Sequence, residues 1–307
     1  MRIIFFGTSS FALPCLKKLI ESEHEIPCVV SRPARPAGRG KILRQPPVSK
    51  YANEEQLVIH QPEKLTGSFI ENLRSLEPDV MVSAAYGGWL PEKLLELSPL
   101  GVINIHPSLL PEYRGAAPIA RAILDGREET GISFMLTDSG WDTGPVIAVY
   151  PEKILSDDTS GSLEERLSVK AAEKILSVID GYSGGKLIYR SQTGEAIYAE
   201  KITTDETWLD WNMPAEYLER KVRAFQPSPG ARTAYSGKTM KISAAKVSGY
   251  SADPGEIVIR DGIFLVGCGG EASLEICRIQ PASKRVMSVD EYLRGARMKT
   301  GDRLGRT

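Results

Sequence analysis

Short apolar runs alternate with amphipathic segments over residues 1–184, and this alternation restricts the fold more than any other feature. The apolar runs predict strands at residues 2–6, 26–30, 57–60, 80–84, 101–105, 132–136 and 146–150. Apolar residues at helical spacing predict a helix after the first strand and further helices at residues 68–76, 91–97, 118–124 and 162–179. Strands that alternate with helices indicate an α/β fold with a doubly wound, mostly parallel sheet.

The pattern changes after residue 184. Residues 185–204 show no clear period and indicate a linker. A helix is predicted at residues 214–224, followed by short strands at residues 231–235, 239–247, 255–260, 262–266 and 273–279. Short strands at this spacing are typical of a small OB-like β-barrel. The sequence therefore predicts two domains, residues 1–184 and residues 205–307, joined by that linker.

Composition and residue spacing argue against a disulfide-stabilised protein, a membrane protein and a metal-binding protein. A chain of 307 residues with 42% hydrophobic residues and a net charge of -1 can bury two cores. Its four cysteines lie in or beside apolar runs without CxxC spacing, which favours free thiols over disulfides. Residues 2–6 are too few for a signal or membrane-spanning segment, so we expect a cytoplasmic protein with no membrane partner. No metal site is expected, because no His, Cys and carboxylate cluster has ligand spacing.

The strand predicted at residues 101–105 leads into two polar side chains that can carry chemistry. Asn104 interrupts the apolar run, and His106 precedes Pro107, which cannot continue the hydrogen-bonding ladder. His106 is thus expected at the carboxyl edge of the sheet, where ligands bind in open α/β sheets. Asn104 lies two residues earlier, on the same face of the strand. An amide donor beside an imidazole, which titrates near neutral pH, indicates an active site.

Three stretches, in this order, resemble the formyltransferase family that uses 10-formyl-tetrahydrofolate. They are NIHPSLLP at residues 104–111, YRGAAP at residues 113–118 and TDSGWDTGP at residues 137–145. The resemblance continues to the C-terminal residues. It implies a Rossmann-like formyltransferase domain followed by the barrel.

The resemblance assigns catalysis to Asn104, His106 and Asp142. It implies that an amine attacks the formyl carbonyl directly, that Asn104 and protonated His106 stabilise the oxyanion, and that Asp142 assists proton transfer. Asp138 fits a turn aspartate that bonds its own backbone. A covalent route through Ser108 is the alternative, although the sequence places no base beside it.

The co-substrate implied by the resemblance is 10-formyl-tetrahydrofolate. Its site is expected to draw on two turns and a glycine-rich loop, through Tyr86, Gly87, Ser108, Leu109, Leu110, Pro111, Asp138 and Gly140.

The amine substrate implied by the resemblance is initiator methionyl-tRNA, bound by a monomeric protein. Residues 31–50 hold six basic residues, no acidic ones and several Gly and Pro, and they follow the second strand. This composition predicts a mobile loop that can contact nucleic acid. The resemblance places Arg35, Arg39 and Lys41 on the tRNA, with Arg39 at the acceptor end, and adds Lys201 from the linker.

Three other functions compete with this interpretation. A dinucleotide-dependent oxidoreductase would need GxGxxG after the first strand, where this chain has GTSSF. Other formyl-folate enzymes, which act on a sugar amine or glycinamide ribotide or hydrolyse the cofactor, would share the same catalytic residues. The basic segment and the second domain favour tRNA over these. A non-catalytic binder would not need all three polar groups.

Overall fold

The structure is a computed structural model that describes residues 1–37 and 42–306. The chain forms two compact units. The first comprises Met1–Gly115, Glu129–Lys153 and Glu164–Ala199, and the second comprises Ala116–Glu128, Ile154–Leu163 and the chain from Glu200 onward. Residues 116–128 and 154–163, which the sequence analysis placed in the first domain, therefore group with the second unit.

The secondary structure follows the predicted alternation in the first part of the chain. The strands there are β1 (Ile3–Gly7), β2 (Val29–Val30), β3 (Arg35–Ala37), β4 (Ile42–Arg44), β5 (Ile59–His60), β6 (Val80–Ala84), β7 (Val102–His106), β8 (Arg114–Gly115), β9 (Glu129–Leu136), β10 (Val146–Lys153) and β11 (Tyr198–Ala199). The helices are α1 (Leu13–Ile20), α2 (Pro47–Glu54), α3 (Gly67–Arg74), α4 (Glu92–Leu95), α5 (Pro118–Leu124) and α6 (Ser160–Ser183).

The remainder of the chain is mostly strand. Its elements are α7 (Ala215–Ala224), β12 (Ala231–Tyr235), β13 (Lys238–Ser248), β14 (Ile257–Arg260), β15 (Ile263–Gly267), β16 (Ser273–Pro281), β17 (Met287–Ser288) and α8 (Val289–Leu293). Short 3-10 helices occur at Ser10–Ala12 and Asp205–Thr207. None of the helices in the described part of the chain is long and apolar enough to cross a membrane.

A seven-stranded sheet in the order β10-β9-β7-β6-β1-β2-β5 forms the centre of the first unit. Strands β7, β6, β1, β2 and β5 are parallel, whereas β9 runs antiparallel to β7 and β10 antiparallel to β9. The predicted doubly wound, mostly parallel sheet is confirmed. Strand β7 lies in the interior of the sheet, between β6 and β9, so its carboxyl end has a neighbouring strand on each side.

Burial explains why these residues form these elements. All five residues of β1 are buried, as expected for a parallel strand covered on both faces. Helix α6 buries the stripe predicted from the spacing of four, which consists of Leu163, Leu167, Ala171, Ile175 and Ile179. Pro14 occupies the first turn of α1, where the missing N–H costs little.

The second unit contains an antiparallel sheet whose two edges are joined. The strand order is β12-β13-β16-β15-β14, with β17 paired to β16. The C-terminal segment spans the gap between the edge strands: Gly305 exchanges backbone hydrogen bonds of 2.7 and 3.0 Å with Ala234 of β12. Ile257 of β14 donates to the carbonyl of Asp302 at 2.7 Å. The predicted small β-barrel is confirmed, and the C-terminal segment pairs with part of each edge strand.

The segment at residues 31–50 differs most from prediction. The predicted strand at residues 26–30 shortens to Val29–Val30. The segment predicted as a basic loop contains an antiparallel ribbon of β3 and β4. Helix α2, missed from the sequence, begins at Pro47 because proline is well tolerated in a first helical turn. Arg39 and Lys41 lie outside the described residues.

Candidate active site

His106 ends β7, and its ring is held by two acceptors. The residue is buried, and Nε2 lies 2.8 Å from the carbonyl oxygen of Tyr113. Since a carbonyl can only accept, Nε2 carries the proton. Nδ1 faces the carboxylate of Asp142, with 3.6 Å between Nδ1 and Oδ2. The hydrogen bond at Nε2 therefore fixes the orientation of the imidazole, and Nδ1 faces an ionisable carboxylate.

Asp142 reaches His106 by way of a long loop. Because β9 is antiparallel to β7, its carboxyl end lies beside the amino end of β7, where Thr137 N donates to Val102 O at 2.8 Å. Residues 137–145 then bring Asp142 to the other end of the strand. Asp142 has a φ of 52°, a conformation that is uncommon for a residue with a side chain. Its Oδ2 accepts from Gly115 N at 2.8 Å, which holds the carboxylate in place.

Two glycines permit this close approach of loops. Gly115 has a φ of 115°, and a Cβ there would lie 2.9 Å from Ala199 O. A Cβ on Gly144 would lie 1.8 Å from Leu136 O. Any larger residue at either position would displace backbone that carries Asp142 or its hydrogen-bond donor.

Asn104 supplies the third polar group of this end of the sheet. It is half-buried, at the centre of β7, with Ser83 of β6 and Met135 of β9 as its register neighbours. Among the residues that the structure describes, its amide makes no side-chain hydrogen bond. The amide is therefore available to a ligand, and it lies on the same face of the strand as His106.

Gln192 and Arg114 belong to the site but were not assigned a role from the sequence. Gln192 Nε2 donates to the carbonyl oxygens of Asp142 and Gly144, both at 2.8 Å. Its Oε1 accepts from Arg114 Nε at 3.0 Å and Nη2 at 2.7 Å. No local pattern could have found Gln192, because it lies 50 residues after Asp142 in the predicted linker.

The turn after His106 contains four residues predicted for folate. Leu109 and Pro111 are half-buried and Leu110 is buried. Ser108 is fully buried, and its hydroxyl donates to Glu112 O at 2.6 Å. The Ser108 side chain therefore supports the turn, and its predicted folate role stays a prediction. This hydrogen bond also disfavours the covalent alternative, because the proton of the hydroxyl is donated to a carbonyl instead of to a base.

Tyr86 and Gly87 follow β6 and differ in burial: Tyr86 is buried and Gly87 is exposed. The Tyr86 ring is buried and packs edge-on against Phe6, with ring centroids 5.4 Å apart. The folate contact predicted for Tyr86 stays a prediction. Burial raises the pKa of its hydroxyl, and the Arg32 guanidinium partly opposes this. Gly87 is exposed with a φ of 70° and nothing near its missing Cβ.

Asp138 and Gly140 form a local turn. Asp138 Oδ1 accepts from Gly140 N at 3.0 Å and from Thr143 Oγ1 at 2.7 Å. These bonds shape the loop that presents Asp142, as expected for a turn aspartate. The folate role predicted for both residues stays a prediction.

An exposed aromatic pair borders Asp142. Trp141 precedes it directly, and Trp89 follows the Gly87–Gly88 turn; their side chains are exposed, with ring centroids 5.1 Å apart. The two indoles are tilted by 60° relative to each other and together expose apolar ring surface beside the Asp142 loop.

The predicted basic residues that are described all lie on the surface. Arg35 is exposed, and on the ribbon it pairs directly with Arg44, which is also exposed. Like charges directly opposite each other destabilise a ribbon, so an anionic partner would relieve the repulsion. Lys201 is exposed. Among the described residues, no group of three or more His, Cys, Asp or Glu side chains could hold a metal ion.

Two family models match the chain. Formyl transferase covers residues 1–179, and Formyl transferase, C-terminal domain, covers residues 201–297. Relatives of similar length include the methionyl-tRNA formyltransferase of Halorhodospira halophila, 41% identical over 98% of both chains. That of Methylococcus capsulatus is 42% identical over 99% of this chain and 100% of its own.

Solved structures share the fold at lower identity. HypX from Aquifex aeolicus in complex with tetrahydrofolic acid has a TM-score of 0.67 and 19% identity, over 95% of this chain and 47% of its own. Methionyl-tRNA formyltransferase from Clostridium thermocellum has a TM-score of 0.58 and 17% identity, over 90% and 98%. The two family models and the full-length relatives at about 40% identity establish that this chain belongs to the formyl transferase family.

Proposed function

We propose that this protein transfers the formyl group of 10-formyl-tetrahydrofolate to the free amino group of initiator methionyl-tRNA. The observation that carries the reaction class is the His106–Asp142 pair beside the open amide of Asn104. The observation that carries the substrate is identity of about 40% over nearly the whole chain to proteins named methionyl-tRNA formyltransferase.

The proposed mechanism is a direct transfer. The amine nitrogen of the methionyl group attacks the formyl carbon, and the carbonyl oxygen becomes an oxyanion. The Asn104 amide donates to that oxygen, which carries its full charge only in the tetrahedral intermediate. After the attack the amine nitrogen is positively charged, and His106 and Asp142 pass the proton that it loses to the folate nitrogen. The oxyanion then re-forms the carbonyl, and the carbon–nitrogen bond to the folate breaks. The products are formylmethionyl-tRNA and tetrahydrofolate.

The proton route follows from the partners of His106. Since Nε2–H is bonded to the Tyr113 carbonyl, Nδ1 is the nitrogen that exchanges a proton, and Asp142 is the group beside it. Asp142 thus links the imidazole to the reacting amine. No bound metal and no covalent enzyme intermediate take part in this scheme.

The folate is proposed to bind along the turn formed by Leu109, Leu110 and Pro111 and at Gly87. The exposed Trp89–Trp141 surface supports a co-substrate with flat aromatic rings. The same site is proposed to include Tyr86, Ser108, Asp138 and Gly140. Asp138 also shapes the loop by accepting from Gly140 N, and Ser108 supports the turn through Glu112 O.

The tRNA is proposed to bind through Arg35, Arg39, Lys41 and Lys201, together with the barrel of residues 205–307. Arg35 and Arg44 lie opposite each other on the β3–β4 ribbon without an ion pair to described residues, which supports an anionic partner. A monomer in the cytoplasm, with residues 1–184 as the catalytic domain and residues 185–204 as the linker, completes the proposal.

A formyl-transfer assay tests the function. Wild-type protein and 10-formyl-tetrahydrofolate are incubated with methionine-charged initiator tRNA, uncharged tRNA, or small amines including an amino sugar. We expect formylmethionyl-tRNA as the product, and His106→Ala should lower kcat by about 10²–10⁴-fold.

His24→Ala is the matched control, because His24 also lies against a carboxylate, with Nε2 3.3 Å from Asp180 Oδ1, but away from the site. It should keep normal activity. Tetrahydrofolate release without a tRNA product would move the protein to another formyl-folate activity. An absence of folate turnover would contradict the proposal.

A further inference from the structure

We propose that Gln192 is a positioning residue that sets the geometry of Asp142 and His106 for catalysis. The inference rests on the proposed function and concerns a residue that touches neither substrate in the proposed mechanism. Its basis is a closed set of hydrogen bonds that joins three separate segments of the first unit.

The first segment is the loop that carries Asp142. Gln192 Nε2 donates to Asp142 O and Gly144 O, both at 2.8 Å, so one amide group bridges the two carbonyls on either side of Thr143. Asp142 has a φ of 52°. This left-handed conformation is uncommon for a residue with a side chain and persists where the surroundings hold it. The two donors of Gln192 are part of that restraint.

The second segment is β8, which follows the turn after His106. Gln192 Oε1 accepts two hydrogen bonds from Arg114, at 2.7 and 3.0 Å. The neighbouring Gly115 N donates to Asp142 Oδ2 at 2.8 Å, and the preceding Tyr113 O accepts from His106 Nε2 at 2.8 Å. Tyr113 also has a positive φ, 57°. Arg114 therefore lies between the two backbone groups that orient the carboxylate and the imidazole.

The third segment is the part of the chain that presents Gln192. On one side, Arg190 exchanges two backbone hydrogen bonds of 2.8 Å with Val146. On the other side, Tyr198 and Ala199 of β11 pair in parallel with Arg114 and Gly115 of β8. The backbone around Gln192 is thus anchored at both ends, so its side chain can hold the other two segments in fixed positions.

The chemistry of the position requires glutamine. Two carbonyls need donors and a guanidinium needs an acceptor, and only a neutral carboxamide of this length provides both. An ionised glutamate would keep the Arg114 contacts but would place a carboxylate against two carbonyl oxygens. A leucine would lose all four hydrogen bonds but is close to glutamine in size.

The test compares Gln192→Glu and Gln192→Leu with wild type in kcat, in KM for both substrates and in thermal unfolding. We expect kcat to fall by about 10²-fold in both variants, since a displacement of 1 Å can cost that much, with KM changed by less than about threefold. Gln192→Glu should unfold near the wild-type temperature, because the ion pair gained with Arg114 offsets the repulsion between the carboxylate and the two carbonyl oxygens. A merely structural role predicts instead that activity follows stability, so that Gln192→Glu stays active.

Gln61→Leu is the matched control. Gln61 is a half-buried glutamine of the same unit whose Nε2 donates to Arg32 O at 3.0 Å. We expect a small loss of stability and normal kcat. Wild-type kcat in a folded Gln192→Glu protein would overturn the proposal, and so would a large rise in KM at constant kcat.

A spectroscopic measurement keeps this test separate from that of the overall function. The ring ¹⁵N and ¹³C signals of His106, assigned by comparison with His106→Gln, are recorded without substrate. Both Gln192 variants should shift these signals, whereas Gln61→Leu should leave them unchanged. Unchanged His106 signals in folded Gln192→Glu would overturn the positioning role even if the wild-type protein used a different amine. A wild type that turned over no formyl-folate would refute the function but leave this result valid.

Discussion

At the scale of single residues, the site depends on which hydrogen-bond partners are already occupied. His106 Nε2 is bonded to the Tyr113 carbonyl, and Asp142 Oδ2 accepts from Gly115 N, so both groups are oriented before substrate arrives. Asn104 differs from both because its amide makes no side-chain hydrogen bond with described residues. Preorganised donors of this kind stabilise developing charge without reorganisation. The hydrogen-bond partners therefore divide the roles: His106 and Asp142 are held in place, and the Asn104 amide is left to bind a ligand.

Asn104→Ala tests the oxyanion role. Removing a donor that acts on the tetrahedral oxygen should lower kcat by about 10²–10³-fold. KM should change little, because the donor acts mainly in the transition state. Steady-state kinetics and an unfolding curve are the measurements, with exposed Asn72→Ala as the control. A raised KM with normal kcat would instead assign Asn104 to substrate binding.

At the scale of secondary structure elements, the antiparallel strand β9 organises the turn after β7. Ser133 of β9 lies opposite His106 in register, donates from Oγ to Ser108 O at 2.7 Å and accepts from Leu110 N at 3.1 Å. The direction of β9 also sends residues 137–145 back across the sheet to deliver Asp142. One strand thus fixes both loops that form the site.

An ion pair links two elements of the second unit and makes stability depend on pH. Arg121 of α5 lies 2.6 Å from Glu206, which is in the 3-10 helix Asp205–Thr207. Arg121, together with hydrogen bonds from the backbone and hydroxyl of Thr203, lowers the pKa of the Glu206 carboxyl to about 2 from its ordinary 4.5, against the opposing effect of burial. A carboxyl with a depressed folded-state pKa contributes stability above its unfolded pKa and loses it as pH falls toward the folded value.

Glu206→Gln should therefore lower the free energy of unfolding by on the order of 1 kcal/mol at pH 7, since the pair is partly screened by solvent. The difference from wild type should shrink as pH falls from about 5 to about 2. Denaturant unfolding at several pH values measures it, with Glu71→Gln, from the exposed Glu71–Arg74 pair, as the control. A difference that stays constant over this pH range would contradict the assignment.

At the scale of the whole molecule, charge is distributed differently in the two units. In the second unit, the C-terminal segment that closes the barrel has arginines paired with carboxylates: Arg303 with Asp253 at 2.8 Å and Arg306 with Asp205 at 2.6 Å. In the first unit, Arg35 and Arg44 face each other on the ribbon. Neither has an ion pair within the described part of the chain, so these two arginines are free to contact phosphate.

Salt dependence tests the proposed tRNA contacts. Arg35→Ala should weaken tRNA binding and reduce the slope of log K against log salt by about 1, because one fewer counterion is released. The KM for 10-formyl-tetrahydrofolate should not change. Lys201→Ala should act in the same way. Lys18→Ala is the control, since Lys18 is exposed but paired with Glu21 at 3.5 Å. An unaltered salt slope in Arg35→Ala would remove Arg35 from the interface.

Local patterns were sufficient for most of the architecture. Strand β6, helix α5 and strand β12 have the predicted bounds, because an apolar run or stripe bounded by Gly or Pro encodes an element locally. The position of His106 at a strand end followed from Pro107 in the same way. The helix α2 was missed because its apolar residues are few and the preceding basic, proline-rich stretch indicated a loop.

The amino-acid sequence by itself therefore determined the α/β order, the barrel strands and the polar pair on β7, since each depends on neighbours within a few residues. Tertiary structure decided the rest: the direction of β9, the burial of the Ser108 hydroxyl and the Tyr86 ring, and the bonding of Gln192 to Asp142 and Arg114. These depend on contacts between segments far apart in the chain. Such contacts form only when the whole sheet brings the segments together, so no local period records them.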